Sequence, residues 1–256
     1  RKFFSCIKNI IFLSLSAYVS PNFSLFAVFY FLNFVIYYKQ NLKVIVLIIL
    51  INVILSVPAF FYLFFLDNNF LSNAAVLNQN SKSIFFLGNI PNNVLLISSI
   101  VFFYLIPFII LKIFKLNFIK SYILHIIISL VILLICINYF DYKYEYTGGG
   151  FFFKLFYVFL DNRYLFFIFV FISLFYVLTL LNLKLNNYIL VIILIFSNPQ
   201  ITVYHKYYDP LLLILFFLLF NIDINFKNLD KYKSKILIFT YFLFFLIINN
   251  LKSYVL

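Results

Sequence analysis

Between Lys43 and Asp67 lie twenty-three consecutive residues without a charge, Val44 to Leu66. A run of that length matches the roughly 20 residues that a helix needs to cross a hydrocarbon core about 30 Å thick. In such a medium backbone N–H and C=O groups must be satisfied within the segment, so a lone run of this kind is a helix. Comparable runs recur along the chain, at Phe3 to Val19, Asn22 to Tyr38, Val94 to Leu111, Ser121 to Phe140, Tyr164 to Leu181 and Ile236 to Leu251. Two shorter ones, Tyr188 to Ser197 and Leu211 to Asn221, fall below the length of a straight span. Apolar residues make up 66% of the chain and the mean hydropathy is +1.11, more than a soluble domain of this size can use. The sequence predicts an all-α, polytopic transmembrane helix bundle of about nine spans, two of them short. It would be a multi-pass protein of a bacterial inner membrane or an endoplasmic-reticulum membrane.

Charge sets the expected orientation. The connections Lys39 to Lys43, Lys112 to Lys120, Asn182 to Asn187 and Asp223 to Lys235, with the Arg1 end, carry thirteen of the nineteen basic residues. Basic residues mark the cytoplasmic side, so the N-terminus is expected there. The opposite side receives Asp67 to Asn93, Asp141 to Arg163 and Asn198 to Asp209, with five of the seven acids. These outer loops are longer, aromatic and mixed in charge, and long loops are where function concentrates. The net charge of +12 is accounted for by membrane orientation and anionic lipid headgroups, so no nucleic-acid partner is expected.

No period of 20 to 50 residues indicates a repeat, and no hydrophilic insertion is large enough for a second domain, so residues 1–256 read as a single transmembrane helical domain. The chain has no methionine and opens on Arg1, which leads us to expect the C-terminal portion of a longer chain. The excess of Phe, Ile, Asn, Lys and Tyr with no Trp matches codon drift in an AT-rich genome. Much of the aromatic content therefore carries no functional message. Cys6 and Cys136 are isolated in apolar segments without metal-type spacing. Walker, CxxC, HExxH and Gly-x-Ser-x-Gly patterns are absent, and neither a metal nor a cofactor is expected.

Four groups of residues can carry chemistry. Between the two short runs, Asn198 to Pro210 gathers His205, Lys206, Tyr207 and Asp209, and we expect it to form a loop seated low, near or within the membrane plane. Lysine and tyrosine there can grip a lipid-linked phosphate, or simply form an aromatic belt with a snorkelling lysine. At the mouth of the sixth span, Asp161-Asn162-Arg163 contains the one arginine after Arg1. Its planar fork suits phosphate or carboxylate, the alternative being an Asp161–Arg163 pair at a helix end. Asp67, Asp141 and Glu145 head or occupy outer loops and are candidates for a catalytic carboxylate, with a solvated loop as the alternative. His125, inside the fifth span, is either functional or bonded between helices. Gly148 to Gly150 permit a sharp turn, after which Phe151 to Leu160 reads as a helix lying at the interface.

The order of these motifs resembles the C-terminal half of the GT-C superfamily of polytopic glycosyltransferases. The nearest likeness is to the dolichyl-phosphate-glucose alpha-1,2-glucosyltransferase family. Asp161, Asn162 and Arg163 match its Asp-Asn-Arg motif at a helix end. Pro199, Gln200, Lys206, Tyr207, Tyr208 and Pro210 follow its Pro-Gln pair, basic-Tyr-aromatic step and helix-opening proline, with Lys206 in place of arginine and the spacing off by one. The likeness covers Asp141 to Asn221. It implies transfer of a sugar from a polyprenyl-phosphate carrier to a glycan or lipid-linked acceptor on the outer face, with Arg163, Lys206, Tyr207 and His205 at the lipid phosphate. The acidic pair that the superfamily carries in its first outer loop has no counterpart here, so the base is expected upstream of Arg1. The alternative is a non-enzymatic membrane protein, such as a polysaccharide or lipid exporter or an assembly subunit.

Overall fold

The computed structural model describes residues 2–19, 22–39, 41–65, 89–114, 122–143, 148–181, 184–196, 202–205, 208–209 and 211–255. Among them the chain is helical, with one isolated antiparallel bridge between Phe114 and Ile224. The longer helices are α1 (Lys2–Val19), α2 (Asn22–Tyr37), α3 (Leu42–Phe65), α4 (Ile90–Ile110) and α5 (Tyr122–Ile137). A short α6 (Gly150–Phe153) runs on as a π-helical stretch, Lys154–Phe159. Then come α7 (Arg163–Leu181), α8 (Leu185–Phe196) and a short α9 (Leu211–Ile214) with its own π-helical continuation, Leu215–Leu219. A single turn, α10 (Phe226–Leu229), leads into α11 (Tyr232–Val255). The helices α2, α3, α4, α5, α7 and α8 coincide with apolar runs and end within two residues of a returning Lys, Asn or Asp. By length and composition α4 and α7 are able to cross a membrane, and apolar stretches of 10–17 residues occur in α1, α2, α3, α5 and α8.

The chain divides into two compact units, Arg1–Ile90 with Ile189–Ile201, and Pro91–Tyr188 with Thr202–Leu256. In the first unit α1 packs on α2 and α3. Cys6 and Ile10 of α1 are buried with Ile48 of α3, and Phe31, Phe34 and Tyr38 close the cluster.

The second unit is built around α4. Nearly every side chain from Asn92 to Phe108 is buried, so α4 is an internal helix apolar on all faces. Phe102 meets Phe152, Phe169 and Tyr176, while Phe103 meets Phe151, Tyr241 and Phe245. One side chain of α4 thus reaches α6 and α7, and its neighbour reaches α6 and α11. Pro107 sits inside this helix and has no N–H to donate to the carbonyl four residues earlier, that of Phe103. The Tyr241 hydroxyl donates to that carbonyl instead, at 3.0 Å.

Both ends of α4 are fixed. At its start, Asn92 Nδ2 donates to Asp141 Oδ1 (2.5 Å) and Asp141 N–H donates to Asn92 Oδ1 (3.2 Å). At its end Lys112, at φ 52, takes the left-handed position of a Schellman cap. Lys112 N–H donates to Ile109 O, and Ile113 N–H to Phe108 O. Asn228 Nδ2 covers the carbonyls of Leu111 and Lys112. On the same side, Lys184 Nζ donates to the Asn221 carbonyl and side chain, and Asn187 exchanges hydrogen bonds with Asn221.

Candidate functional site

Two loops reach the middle of α4. Gly150 lies against Ile100, where a Cβ would come within 2.8 Å of Cγ1. Ile100 is about 12 Å along the helix from Asn92, at a rise of 1.5 Å per residue. The chain therefore descends from the Asp141 clamp to mid-helix between Asp141 and Gly150. From there α6 and its π-helical continuation climb back: Phe151 contacts Phe103, whereas Tyr157 contacts Phe140, just past the end of α5. The sequence suggested a helix at the interface; its first turn packs on Phe102 and Phe103 of α4, and it continues against Phe166 and Phe169 of α7.

The second loop meets the first. Gly149 N–H donates to Val203 O at 2.8 Å. Gly148 has φ +150, and a Cβ on it would fall 2.7 Å from both Val203 O and the Tyr142 hydroxyl, so the approach excludes every residue but glycine. Two residues beyond Val203, the imidazole of His205 is enclosed by Phe103, Tyr104 and Phe245, with ring centroids 5.1, 5.2 and 4.8 Å away. Tyr104 is about 21 Å along α4 from Ile90.

The electrostatics follow from burial. Both His205 nitrogens are shut off from solvent and have no hydrogen-bond partner among the described residues. Burial, and secondarily the Lys154 ammonium, push the His205 pKa down to about 4, so the ring is neutral near pH 7. Tyr104 is 1% exposed, and its hydroxyl likewise makes no hydrogen bond of ordinary geometry. The Asp209 carboxylate is nevertheless close enough to accept a hydrogen bond from that hydroxyl, and Tyr241 acts on it electrostatically. Asp209 itself is exposed. Tyr208 donates its N–H to His205 O, and its own carbonyl accepts from Leu212 N–H at the start of α9. Its hydroxyl is buried and unpartnered among the described residues, and burial raises its pKa. His205 and Tyr104 thus stand ring to ring midway along a phenylalanine-lined helix, with the Lys154 ammonium acting electrostatically on the first and the Asp209 carboxylate on the second.

The other sequence candidates fare differently. Asp161, at φ 46, is an exposed turn residue between the π-helical stretch and α7. Asn162 Oδ1 accepts from Leu165 N–H at 3.0 Å, which makes it the N-cap of α7. Arg163 stacks over the Tyr157 ring, 5.1 Å from its centroid, and among the described residues no ion pair joins it to Asp161. The Asp-Asn-Arg triplet therefore has a structural account as turn, cap and stacked cation, with the guanidinium left exposed. No described contact links Arg163 to His205. Asp141 is engaged with Asn92 rather than facing the cluster. His125 is buried in α5. Asp67, Glu145, Pro199, Gln200, Lys206, Tyr207 and Pro210 lie outside the described residues.

Sequence reasoning missed Tyr104 and Lys154. Tyr104 is one of 21 tyrosines and sits in an unbroken apolar helix, with nothing local to single it out. No group of His, Cys, Asp and Glu suited to a metal occurs among the described residues. Comparison with protein-family models, curated proteins and solved structures finds no match to this chain.

Proposed function

We propose that the protein is a multi-pass membrane glycosyltransferase of about nine spans, with its N-terminus on the cytoplasmic side. It moves a sugar from a polyprenyl-phosphate carrier to a glycan or lipid-linked acceptor on the opposite face. The observation that carries this reading is the seat of His205 against Phe103 and Tyr104, which takes a polar loop halfway down an apolar helix. Non-helical backbone at that depth in a bilayer is tolerated where it lines a protein-enclosed or water-filled site. A lipid-linked substrate presents its phosphate and sugar near such a level.

In the transfer, the acceptor hydroxyl attacks the anomeric carbon while a carboxylate takes its proton, and the sugar–phosphate C–O bond breaks to release the polyprenyl phosphate. Lys206 supplies a cation for the charge that grows on that leaving group, with Tyr207 and His205 orienting it. The test is transfer from radiolabelled polyprenyl-phosphate hexoses by the protein in liposomes. Lys206→Ala should cut turnover at least about a hundredfold with insertion intact, the scale of losing one charge-stabilising donor. Absence of transfer by the parent protein, or near-normal turnover in the variant, overturns the assignment.

A second reading has its own support. The helical segments starting at Gly150 and at Leu211 are each about 14 Å long, half a bilayer core, and the loops before them meet through Gly149 and Val203. Short helices interrupted at mid-depth are also how membrane carriers build sites, so lipid or glycan export is the rival. Movement of a lipid-linked sugar across liposomes without any transfer would favour it.

A further inference from the structure

The Asp161-Asn162-Arg163 turn is a motif that sugar transfer leaves unused, and its two charges are not paired with each other. Asp161 and Arg163 are both exposed, and among the described residues no ion pair joins them. Asn162 caps α7, so the turn has one structural duty and two open charges. Arg163 is held over the Tyr157 ring, and a stacked guanidinium keeps its N–H edge free for a phosphate. The surroundings say at what level these charges sit. Phe140 meets Tyr157, Phe166 and Phe167, so the end of α5, the π-helical stretch and the start of α7 lie together. At this end Tyr139, Phe159 and Tyr164 are 67, 81 and 82% exposed. Away from it along α7 runs an exposed apolar stripe, Leu165, Ile168 and Ile172, and α5 carries another at Ile127, Leu130 and Leu134. The 19 residues of α7 rise about 28 Å, against about 30 Å of hydrocarbon in a bilayer. Bare aromatic rings beside charge, at the head of an apolar stripe, are the profile of a membrane–water interface.

We propose that this turn binds the headgroup of a bilayer phosphatidylethanolamine, with Arg163 on the phosphate and Asp161 on the ammonium. The choice among lipids follows from charge. A purely anionic headgroup would suit Arg163 but would meet Asp161 two residues away. A phosphocholine carries the cation but no N–H, whereas a primary ammonium has three donors for a carboxylate. The acyl chains then lie along the α7 stripe, with the exposed aromatic rings at headgroup level. The one arginine after Arg1 thereby gains a reason to be arginine, since it grips phosphate through two N–H groups while stacked on tyrosine, as lysine does not. The inference needs α7 to cross a bilayer and needs no sugar transfer.

Thermal unfolding of the purified full chain in detergent micelles tests this. The probes are dioleoyl phosphatidylethanolamine, phosphatidylglycerol and phosphatidylcholine, the matching diacylglycerol, and free phosphoethanolamine. Phosphatidylethanolamine should raise Tm at a lower mole fraction than the other lipids, and at concentrations where free phosphoethanolamine does nothing. Arg163→Gln should weaken its apparent affinity about tenfold or more, the scale of one hydrogen bond between charged partners. Asp161→Asn, which the left-handed turn tolerates, should erase the preference over phosphatidylglycerol. Both side chains are exposed, so Tm without lipid should barely move in either variant. A diacylglycerol response equal to that of the phospholipids, or an Arg163→Gln protein that ranks and binds the lipids as the parent does, overturns the headgroup site and leaves the membrane reading standing. A preference that survives Asp161→Asn overturns it too, as does an equal response to free phosphoethanolamine. A Tm that follows protein concentration and ignores lipid would mean that a second copy covers this face. Loss of hexose transfer in Arg163→Gln with the lipid response intact would place the arginine in the transfer machinery instead.

Discussion

Tyr241 donates its hydroxyl to the backbone carbonyl of Phe103 at 3.0 Å, and the reason lies four residues further along α4, where Pro107 has no N–H to offer. The pairing ties α11 to the central helix one residue from Tyr104. It closes a gap that a proline opens in a helix buried on all sides.

Tyr241→Phe should therefore destabilise the protein by about 1–3 kcal/mol, the cost of a buried acceptor left unmade. Pro107→Ala restores the helical donor, so the same Tyr241→Phe change made in that background should cost much less. Unfolding midpoints of the four proteins in detergent decide it. Equal costs in both backgrounds would show that the hydroxyl does not serve the proline gap.

Asp141 is joined to Asn92 by two hydrogen bonds, its carboxylate accepting one and its backbone N–H donating the other, and so clamps the start of α4. Asp141→Asn should lower stability by about 1–2 kcal/mol, as loss of a charged acceptor does, yet leave turnover within a few-fold. Turnover abolished at unchanged stability would return Asp141 to the list of bases.

His205 gives a pH signature. Its folded pKa is depressed to about 4 against an ordinary 6.5, so the unfolded chain takes up a proton in that interval that the folded chain refuses. Stability from this group is full above pH 6.5 and declines as pH falls from 6.5 toward 4. The difference in unfolding midpoint between pH 7.5 and 4.5 should be larger for the parent protein than for His205→Gln. An identical pH response in the two would mean that the ring is not held neutral.

Asn162 caps α7 through Leu165 N–H. Asn162→Ala should cost about 1 kcal/mol, and Asn162→Ser much less, since serine caps as well. Equal losses from both, in thermal unfolding, would argue against the cap.

The helices were legible because apolar runs and returning polar residues are one-dimensional signals. The predicted Tyr164 to Leu181 and the observed Arg163–Leu181 differ by one residue. What stayed hidden depends on partners distant in sequence. Nothing near Tyr104 announces His205, and Pro107 implies an outside donor without naming Tyr241, 138 residues from Phe103. The packing of the helix after Gly150 on Phe103 of α4 and Phe166 and Phe169 of α7 likewise depends on partners outside its own pattern. Asp161-Asn162-Arg163 suits a phosphate grip and a helix-end pair alike in sequence, and its part as turn and cap depends on the backbone of α7.

The most direct test of the account is photolabelling with a polyprenyl-phosphate hexose that carries a diazirine on the sugar, followed by mass-spectrometric mapping of the adducts. The account predicts adducts on the peptide containing His205 and Lys206, competed away by unlabelled hexose 1-phosphate. Adducts confined to other segments, or insensitive to that competitor, would contradict it.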